Sequence, residues 1–551
     1  MSFFVFYDKI KCGGKNMKKS LYGVSIMTMA GLYGLLAAIL ILAAIIADFP
    51  ITIALLASII TLVIQFIIAP WITDLTMRWF YKVNFKTSTV PEYLDKFINE
   101  VCTKHNMKRP KIGIINDGAP NAFTYGRTKN DARLVLTRGI FELLNEDEVI
   151  SVVGHEMGHI VHYDMLFMTF AQLVPLLLYY VYEICLKSGN NDSDSNNGNA
   201  AAVGMVAYVL YIISQYIILW LSRTREYYAD EFSYQTTKNP NAMQTALIKV
   251  GFGLSIATSS KEQRSTKNLG ALGIFDSKTS KSLIVETNND INDTDAVKNA
   301  MKWEMWNPWA KVYELNSTHP LISKRLTMIS KHCHEYNQEP YVVFDLEKKE
   351  SYVGNFLLEL LIVIMPYIIL IVTAGLLIYF VTESSDENIW KLIAGIGLLL
   401  LTGSLFIIFK RSHRGKNFQK VTVRDLLGVV NVSGVTAVPC EVEGKIIGKG
   451  DPGCIFSEDY IVKDKTGIVF VDYNQPLTLL NKIFAIFKSA KYVDQDVIIR
   501  GWYRRNPTPF IEIYEGECLG EHKKIYTYKT KLVCYALMGL ASIGLIIWYF
   551  I

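Results

Sequence analysis

The chain has 551 residues, of which 51% are hydrophobic and only 19% charged, with a net charge of +5. An average soluble domain carries roughly a quarter charged residues, so a wholly soluble chain, a disordered one, a collagen-like one and a small disulfide scaffold are excluded. The slight basic excess makes no case for nucleic acid, and the eight cysteines, none in C-x-x-C spacing, read as free thiols on a reducing side.

The charge deficit lies in seven uncharged runs: Leu21–Ala47, Ile51–Ile72, Met165–Tyr182, Ala200–Ser222, Leu360–Thr382, Leu392–Phe409 and Leu532–Ile551. Each approaches the roughly 17–25 residues that cross a hydrocarbon core, which predicts a multi-pass protein in the lipid bilayer of the cell membrane. Lys9, Lys11, Lys15, Lys18 and Lys19 precede the first run and place the N-terminus in the cytoplasm. Arg78, Lys82 and Lys86 follow the second run, Arg223 and Arg225 the fourth, and Lys410, Arg411 and Arg414 the sixth, so the large water-facing segments share that side. The polar loop Ser188–Asn199 and the acidic stretch with Glu383, Asp386 and Glu387 fall outside, as does the C-terminus. A cleavable signal peptide is the alternative for the first run; its length, and the second run that follows almost at once, favour a span.

After the second run, Asn145-Glu146-Asp147-Glu148 has the form of a helix start, with an N-cap residue and acidic residues in the first turn. The helix that follows contains His155-Glu156-Met157-Gly158-His159, which is H-E-x-x-H. Four residues apart, the two imidazoles share a face and can hold one zinc ion, while Glu156, turned by about 100°, reaches a water beside it. A third ligand is needed. His162 is two turns from His155, about 10 Å along the axis and too far to share an ion, and positions 162 and 165 are His and Met where the longer H-E-x-x-H-x-x-G-x-x-H pattern needs Gly and His. His162 is therefore expected to be an interfacial polar residue. Glu226 and Asp230, after the fourth run, share a helical face, so one can bind metal and the other can support a ligand histidine.

These stretches, together with Gly118–Gly126, Val135–Gly139, the Ser-Arg-x-Arg-Glu-Tyr-x-Ala-Asp segment from Ser222, and His319-Pro320 with Arg325, resemble the HtpX-type integral-membrane zinc metalloproteases, a gluzincin family, over about residues 20–335. The resemblance implies one catalytic Zn2+ held by His155, His159 and Glu226, with Glu156 as general base and acid. Asp230 is left to support a ligand histidine, and Asn121 and His319 are implied around the reacting carbonyl. Read on their own, Asn121 is a turn residue and His319 a helix-entry residue with Pro320 at the first helical position. Arg133–Thr137 reads as a strand, and an exposed strand edge beside the site would accept an extended substrate backbone by strand addition. Substrates are expected to be unfolded polypeptides or membrane proteins. No P-loop pattern is present for ATP-driven unfolding.

Ser259–Ala300 is polar and reads as an insertion, and the aromatic Met301–Trp306 stretch as packing or as a cleft rim. Gly415–Lys531 holds five strand-like stretches, Val442–Ile447, Tyr460–Val462, Gly467–Asp472, Val497–Trp502 and Phe510–Tyr514, which predict a small OB-like β-barrel. Pro476–Tyr492 suits either an amphipathic helix on the membrane or a helix plugging the barrel. His332-Cys333-His334 reads as incidental.

The expected fold is a mainly α multi-pass membrane protein with an α+β gluzincin-type protease domain and a C-terminal small β-barrel. The expected divisions are a cytoplasmic N-terminus, 1–20; two spans, 21–72; the first protease part, 73–164; a transmembrane hairpin, 165–222; the second protease part, 223–355; two spans, 356–410; a cytoplasmic β-rich domain, 411–531; and a last span, 532–551. The expected function is membrane-embedded, zinc-dependent endopeptidase activity on the cytoplasmic side, in protein quality control. Two rivals stand beside it. CAAX-prenyl-type endopeptidases carry the zinc motif late, after several spans, whereas here it follows the second run. A catalytically silent scaffold acting through the barrel is opposed by the complete His155, Glu156, His159 and Glu226 set.

Overall fold

The computed structural model describes residues 17–47, 51–83, 85, 90–188, 197–257, 294–348, 350–384, 386, 388–449, 458–476, 478–487, 489–519 and 524–551. Helices α1 (Met17–Ala47) and α2 (Ile51–Phe80) contain the first two apolar runs. Helix α3 (Glu92–Lys104) then leads into strands β1 (Lys111–Ile115), β2 (Ala122–Gly126) and β3 (Ala132–Thr137). Their order is β1-β3-β2, with β1 parallel and β2 antiparallel to β3. Every residue of β3 is buried. The strand predicted at Arg133–Thr137 is thus the middle of the sheet, bonded on both sides, and the edges are β1 and β2. The backbone N–H of Thr137 donates to Asn121 O at 2.9 Å, so by alternation the peptide groups of Ala122 and Thr124 turn away from β3.

After α4 (Arg138–Leu143) come α5 (Glu146–Val161), α6 (Asp164–Ser188), α7 (Asn197–Thr237) and α8 (Pro240–Ala257). The α5 helix is not continuous with the span that follows. It ends at Val161, Tyr163 takes a left-handed backbone (φ 60°), and α6 starts afresh at Asp164. His162 caps the break, buried within the protein against Phe232, and is not an interfacial residue. By contrast α7 runs without interruption from its apolar half into the segment bearing Glu226 and Asp230. Leu32, Leu36 and Ile39 of α1 pack with Ala171, Val174 and Leu178 of α6 and Val203 and Ala207 of α7 in a separate apolar cluster.

Next come α9 (Thr294–Trp306), α10 (Pro308–Leu315), α11 (Ile322–Ser330), α12 (Val353–Glu383) and α13 (Ile389–Ser412). Among the described residues five helices are long and apolar enough to cross a membrane: Asp164–Leu186, Ala200–Thr237, Val353–Glu383, Ile389–Ser412 and Tyr528–Phe550. In α1 the described apolar stretch is Ser25–Leu40. The loop predicted at Ser188–Asn199 and the insertion at Ser259–Ala300 lie largely outside the described residues.

The C-terminal unit contains β4 (Gln419–Lys420), α14 (Val423–Leu427), β5 (Val438–Lys449), β6 (Tyr460–Lys463), β7 (Ile468–Asp472), α15 (Thr478–Phe487), β8 (Asp496–Asn506), β9 (Thr508–Cys518), β10 (Lys524–Tyr526) and the span α16 (Tyr528–Phe550). Pairing runs β5-β6-β7-β9-β8 and back to β5, which closes a five-stranded barrel; the parallel β7–β9 pair is part of the closure. Alternate residues such as Val442, Ile446, Val497, Ile499, Ile511 and Ile513 are buried within it, as the period of two requires. Closure removes the strand edges that would otherwise template aggregation.

Barrel and protease share one core cluster. The Trp303 indole of α9 donates to Val432 O at 2.7 Å, Asn307 Nδ2 to Val430 O at 2.8 Å, and the buried Arg505 guanidinium of β8 lies over the Trp303 ring. The aromatic stretch around Trp303 is therefore packing against the barrel. Glu359 in the first turns of α12 ties the junction, accepting from Trp309 Nε1 at 2.6 Å and from the Thr436 hydroxyl, with Arg411 of α13 at 3.8 Å. Since α6, α12 and α16 begin and α7 and α13 end at these packed units, protease and barrel lie on one side of the spans. His332 pairs with Glu335 and stacks on Tyr234, in keeping with an incidental role.

Candidate metal centre

The motif helix α5 starts in a capping box: Asn145 accepts from the Glu148 N–H, and the Glu148 carboxylate accepts from the Asn145 N–H, each at 2.9 Å. Two glycines one turn apart set its approach to α7. A Cβ at Gly158 would meet Phe232 Cβ at 3.1 Å and Ala229 Cα at 3.2 Å, and one at Gly154 would meet Ser233 Oγ at 3.2 Å. The Ser233 hydroxyl donates to Ser151 O at 2.6 Å across the same contact. This close crossing brings a residue from after the fourth apolar run against the two histidines.

His155 Nε2 and His159 Nε2 are 3.2 Å apart, Glu226 Oε2 is 3.5 Å from His155 Nε2, and Glu226 Oε1 is 3.5 Å from His159 Nε2. Ligand atoms about 2.1 Å from a tetrahedral zinc are roughly 3.4 Å from one another, so the three side chains outline one face of such a tetrahedron. Glu226 Oε2 is buried without a hydrogen bond among the described residues, and His155, Glu156 and His159 converge as a group able to hold an ion. The residues present fit one divalent cation.

Electrostatics agree. Burial alone would push the His155 imidazole down, but Asp230 and Glu226 outweigh it and lift it to about 9, which marks a place built for positive charge. Burial raises the Glu156 carboxyl against the pull of His159 and His155, suiting it to take up a proton. Asp230 Oδ1 lies 2.9 Å from His155 Nδ1, and Arg325, itself fully buried, holds Asp230 through both carboxylate oxygens at 2.8 and 2.6 Å. Of the two carboxylates on this face of α7, Glu226 meets both imidazoles and Asp230 backs one of them.

His319 points into the same place, its Nε2 3.6 Å from Glu226 Oε1 and its Nδ1 2.9 Å from the Thr318 hydroxyl. It does not enter a helix, because α11 begins at Ile322 after an N-cap at Leu321. Its loop is gripped by Arg223, whose Nη1 donates to Glu314 O at 2.7 Å and Ser317 O at 2.8 Å. Asn121 stands just before the edge strand β2, its backbone pinned to Thr137 and its buried Oδ1 without a hydrogen bond among the described residues.

Sequence reasoning passed over Asp164. Its Oδ2 lies 2.7 Å from His159 Nδ1, its other oxygen meets Arg225, and Arg225 Nη2 donates to Ser25 Oγ of α1 at 2.8 Å. Each histidine thus has its own carboxylate behind it. Asp164→Asn is expected to weaken metal retention by about 10–100-fold, read by competition with a chelator, because carboxylates behind ligand histidines fix tautomer and basicity.

The description Peptidase family M48 matches residues 89–332. Protease HtpX homolog of Methanothermobacter thermautotrophicus is 38% identical over 192 residues, 35% of this chain and 70% of that one. The chain belongs to the HtpX-type peptidases of family M48. Protease HtpX homologs of Picrophilus torridus and Thermoplasma acidophilum are 29% and 28% identical, over 50% and 49% of this chain and 82% and 81% of theirs. A crystal structure of S. mikatae Ste24p aligns with 56% of this chain and 66% of that chain at 18% identity and a TM-score of 0.31. This HtpX-type peptidase is a multi-pass membrane metalloprotease that uses a metal ion and acts on peptide substrates.

Proposed function

We propose that the metal is a single zinc ion held by His155, His159 and Glu226, and that the protein is an endopeptidase for unfolded or membrane-associated polypeptides on the cytoplasmic side, serving protein quality control. The observation that carries the reading is the approach of the two imidazole Nε2 atoms to each other, 3.2 Å, and of one Glu226 carboxylate oxygen to each of them, 3.5 Å in both cases. When bound, the ion supplies Lewis-acid polarisation of the scissile carbonyl and lowers the pKa of water.

Glu156 takes a proton from the attacking water as its oxygen bonds to the carbonyl carbon, and returns that proton to the leaving amine nitrogen as the C–N bond breaks. Asn121 Nδ2 and the His319 imidazole donate to the oxyanion that develops. Asp230 and Asp164 hold the two imidazoles by their Nδ1 atoms. The outward peptide groups of Ala122 and Thr124 offer an extended substrate a strand to pair with. Backbone pairing reads no side-chain identity, which suits a broad range of unfolded chains. The cytoplasmic side is supported by Arg78 and Lys410 in the last turns of α2 and α13 and by Arg223 and Arg225 just past the apolar half of α7.

Elemental analysis of the detergent-purified protein tests the reading. Wild type is expected to carry about one zinc per chain, the complement of a three-ligand catalytic site, and Glu226→Ala to lose most of it together with proteolysis. Full zinc and full activity in Glu226→Ala would overturn the ligand set.

A further inference from the structure

The two faces of α15 differ. Asn481, Phe484 and Ala485 are buried, and the Phe484 ring stacks on Tyr473 at 3.8 Å and faces Tyr460 and Tyr492, closing one end of the barrel. On the other side Leu479 and Ile483, one turn apart, are 67% and 45% exposed, with Lys482 exposed beside them. Plugging the barrel accounts for the first face and leaves the second in need of a partner, since apolar area left in water forgoes about 25 cal/mol per Å².

The height of this face is fixed by bonds to the last span. Asn481 Oδ1 accepts from the Gln475 N–H at 2.8 Å, Gln475 Nε2 donates to Tyr526 O at 3.0 Å, and the Thr530 hydroxyl donates to Gln475 Oε1. Thr530 stands in the first turn of α16, and Leu532 and Val533, 38% and 57% exposed, follow it into the span. The exposed pair on α15 is therefore tethered, through one glutamine, to the level at which the chain enters the bilayer.

We propose that α15 rests on the membrane surface beside α16, with Leu479 and Ile483 in the boundary between headgroups and acyl chains and Lys482 among the lipid phosphates. A short helix with one apolar edge and a basic neighbour is suited to that depth, and Lys482 spreads its apolar stem over the same surface while keeping its ammonium at the phosphates. The barrel then has two footings on the bilayer, the spans and this helix.

The test uses the full chain in nanodiscs of phosphatidylcholine, with and without phosphatidylglycerol. Spin labels are attached at Leu479→Cys, Ile483→Cys and, on the exposed barrel surface, Glu443→Cys, with the parent protein supplying the background from native cysteines. Labels at 479 and 483 are expected to collide with oxygen severalfold more, relative to a water-soluble nickel chelate, than the label at 443, in both lipids. Chelate accessibility at 479 and 483 equal to that at 443 would overturn the proposal. So would labels shielded from both agents, which would assign the face to another protein or a second copy. The two labelled positions report independently, so a local disturbance at one leaves the other to decide.

Discussion

Glu156→Gln lowers peptide-bond hydrolysis by about 10²–10⁴-fold, the usual contribution of a positioned proton-transfer group, while zinc content stays at the wild-type level. The amide keeps the shape of the carboxylate but cannot accept the proton of the attacking water. None of the contacts among His155, His159 and Glu226 runs through Glu156, so they are expected to survive the change. The measurement is cleavage of an unfolded protein substrate alongside metal analysis of the same preparation. Activity equal to wild type would remove Glu156 from the reaction; loss of zinc together with activity would make it a ligand instead.

The second large effect is expected far from the centre. Glu512 of β9, buried in the barrel wall, meets Arg504 of β8, Lys531 of α16 and His413 at the end of α13, the last at 2.9 Å. Burial opposes its charge, but Arg504, His413 and Lys531 outweigh burial and hold the carboxyl well below the usual carboxylate range. Nearby, burial pushes up the carboxyls of Asp459 and Asp472, with the Asp472 charge adding to the first and the Glu512 charge to the second. Glu512→Ala strands the buried cations Arg504 of β8 and Lys531 of α16 and removes the partner of His413, whose imidazole burial keeps low, and removing one partner of such a set costs about 3–5 kcal/mol. Melting of the barrel, followed by tryptophan fluorescence, should fall by roughly 10 °C or more. An unchanged midpoint would mean that the two spans are joined to the barrel by apolar packing alone.

What could be read from the sequence was what depends on short-range spacing. The i, i+4 placement of His155 and His159 and the shared face of Glu226 and Asp230 follow from helix geometry, and the Asn145 cap from local chemistry. The barrel was legible because short strand-like stretches recur between turn residues, a local signal. The place of β3 in the middle of the sheet was not legible, because strand order is set by partners elsewhere in the chain. Asp164 escaped because its approach to His159 depends on the left-handed turn at Tyr163, which no residue preference announced. The docking of Trp303 and Arg505 links residues about 200 positions apart and leaves no periodic trace. In α15 the plugging reading accounts for one face, and the other face stays exposed.

Helix α7 is 41 residues long, a rod of roughly 60 Å, with one half apolar and the other carrying Glu226. A span adjusts to a thinner or thicker bilayer by changing its tilt, and a lone rod of that length would swing its far end by several ångströms for a few degrees. Here Arg225 is bonded to α1 and to Asp164 at the head of α6, and Arg223 grips the loop of His319. The lever is thus clamped at its fulcrum to everything it would otherwise move past. A bilayer that tilts these helices turns the site as one body, and the spacing between Glu226 and the two histidines is insulated from the thickness of the membrane around it.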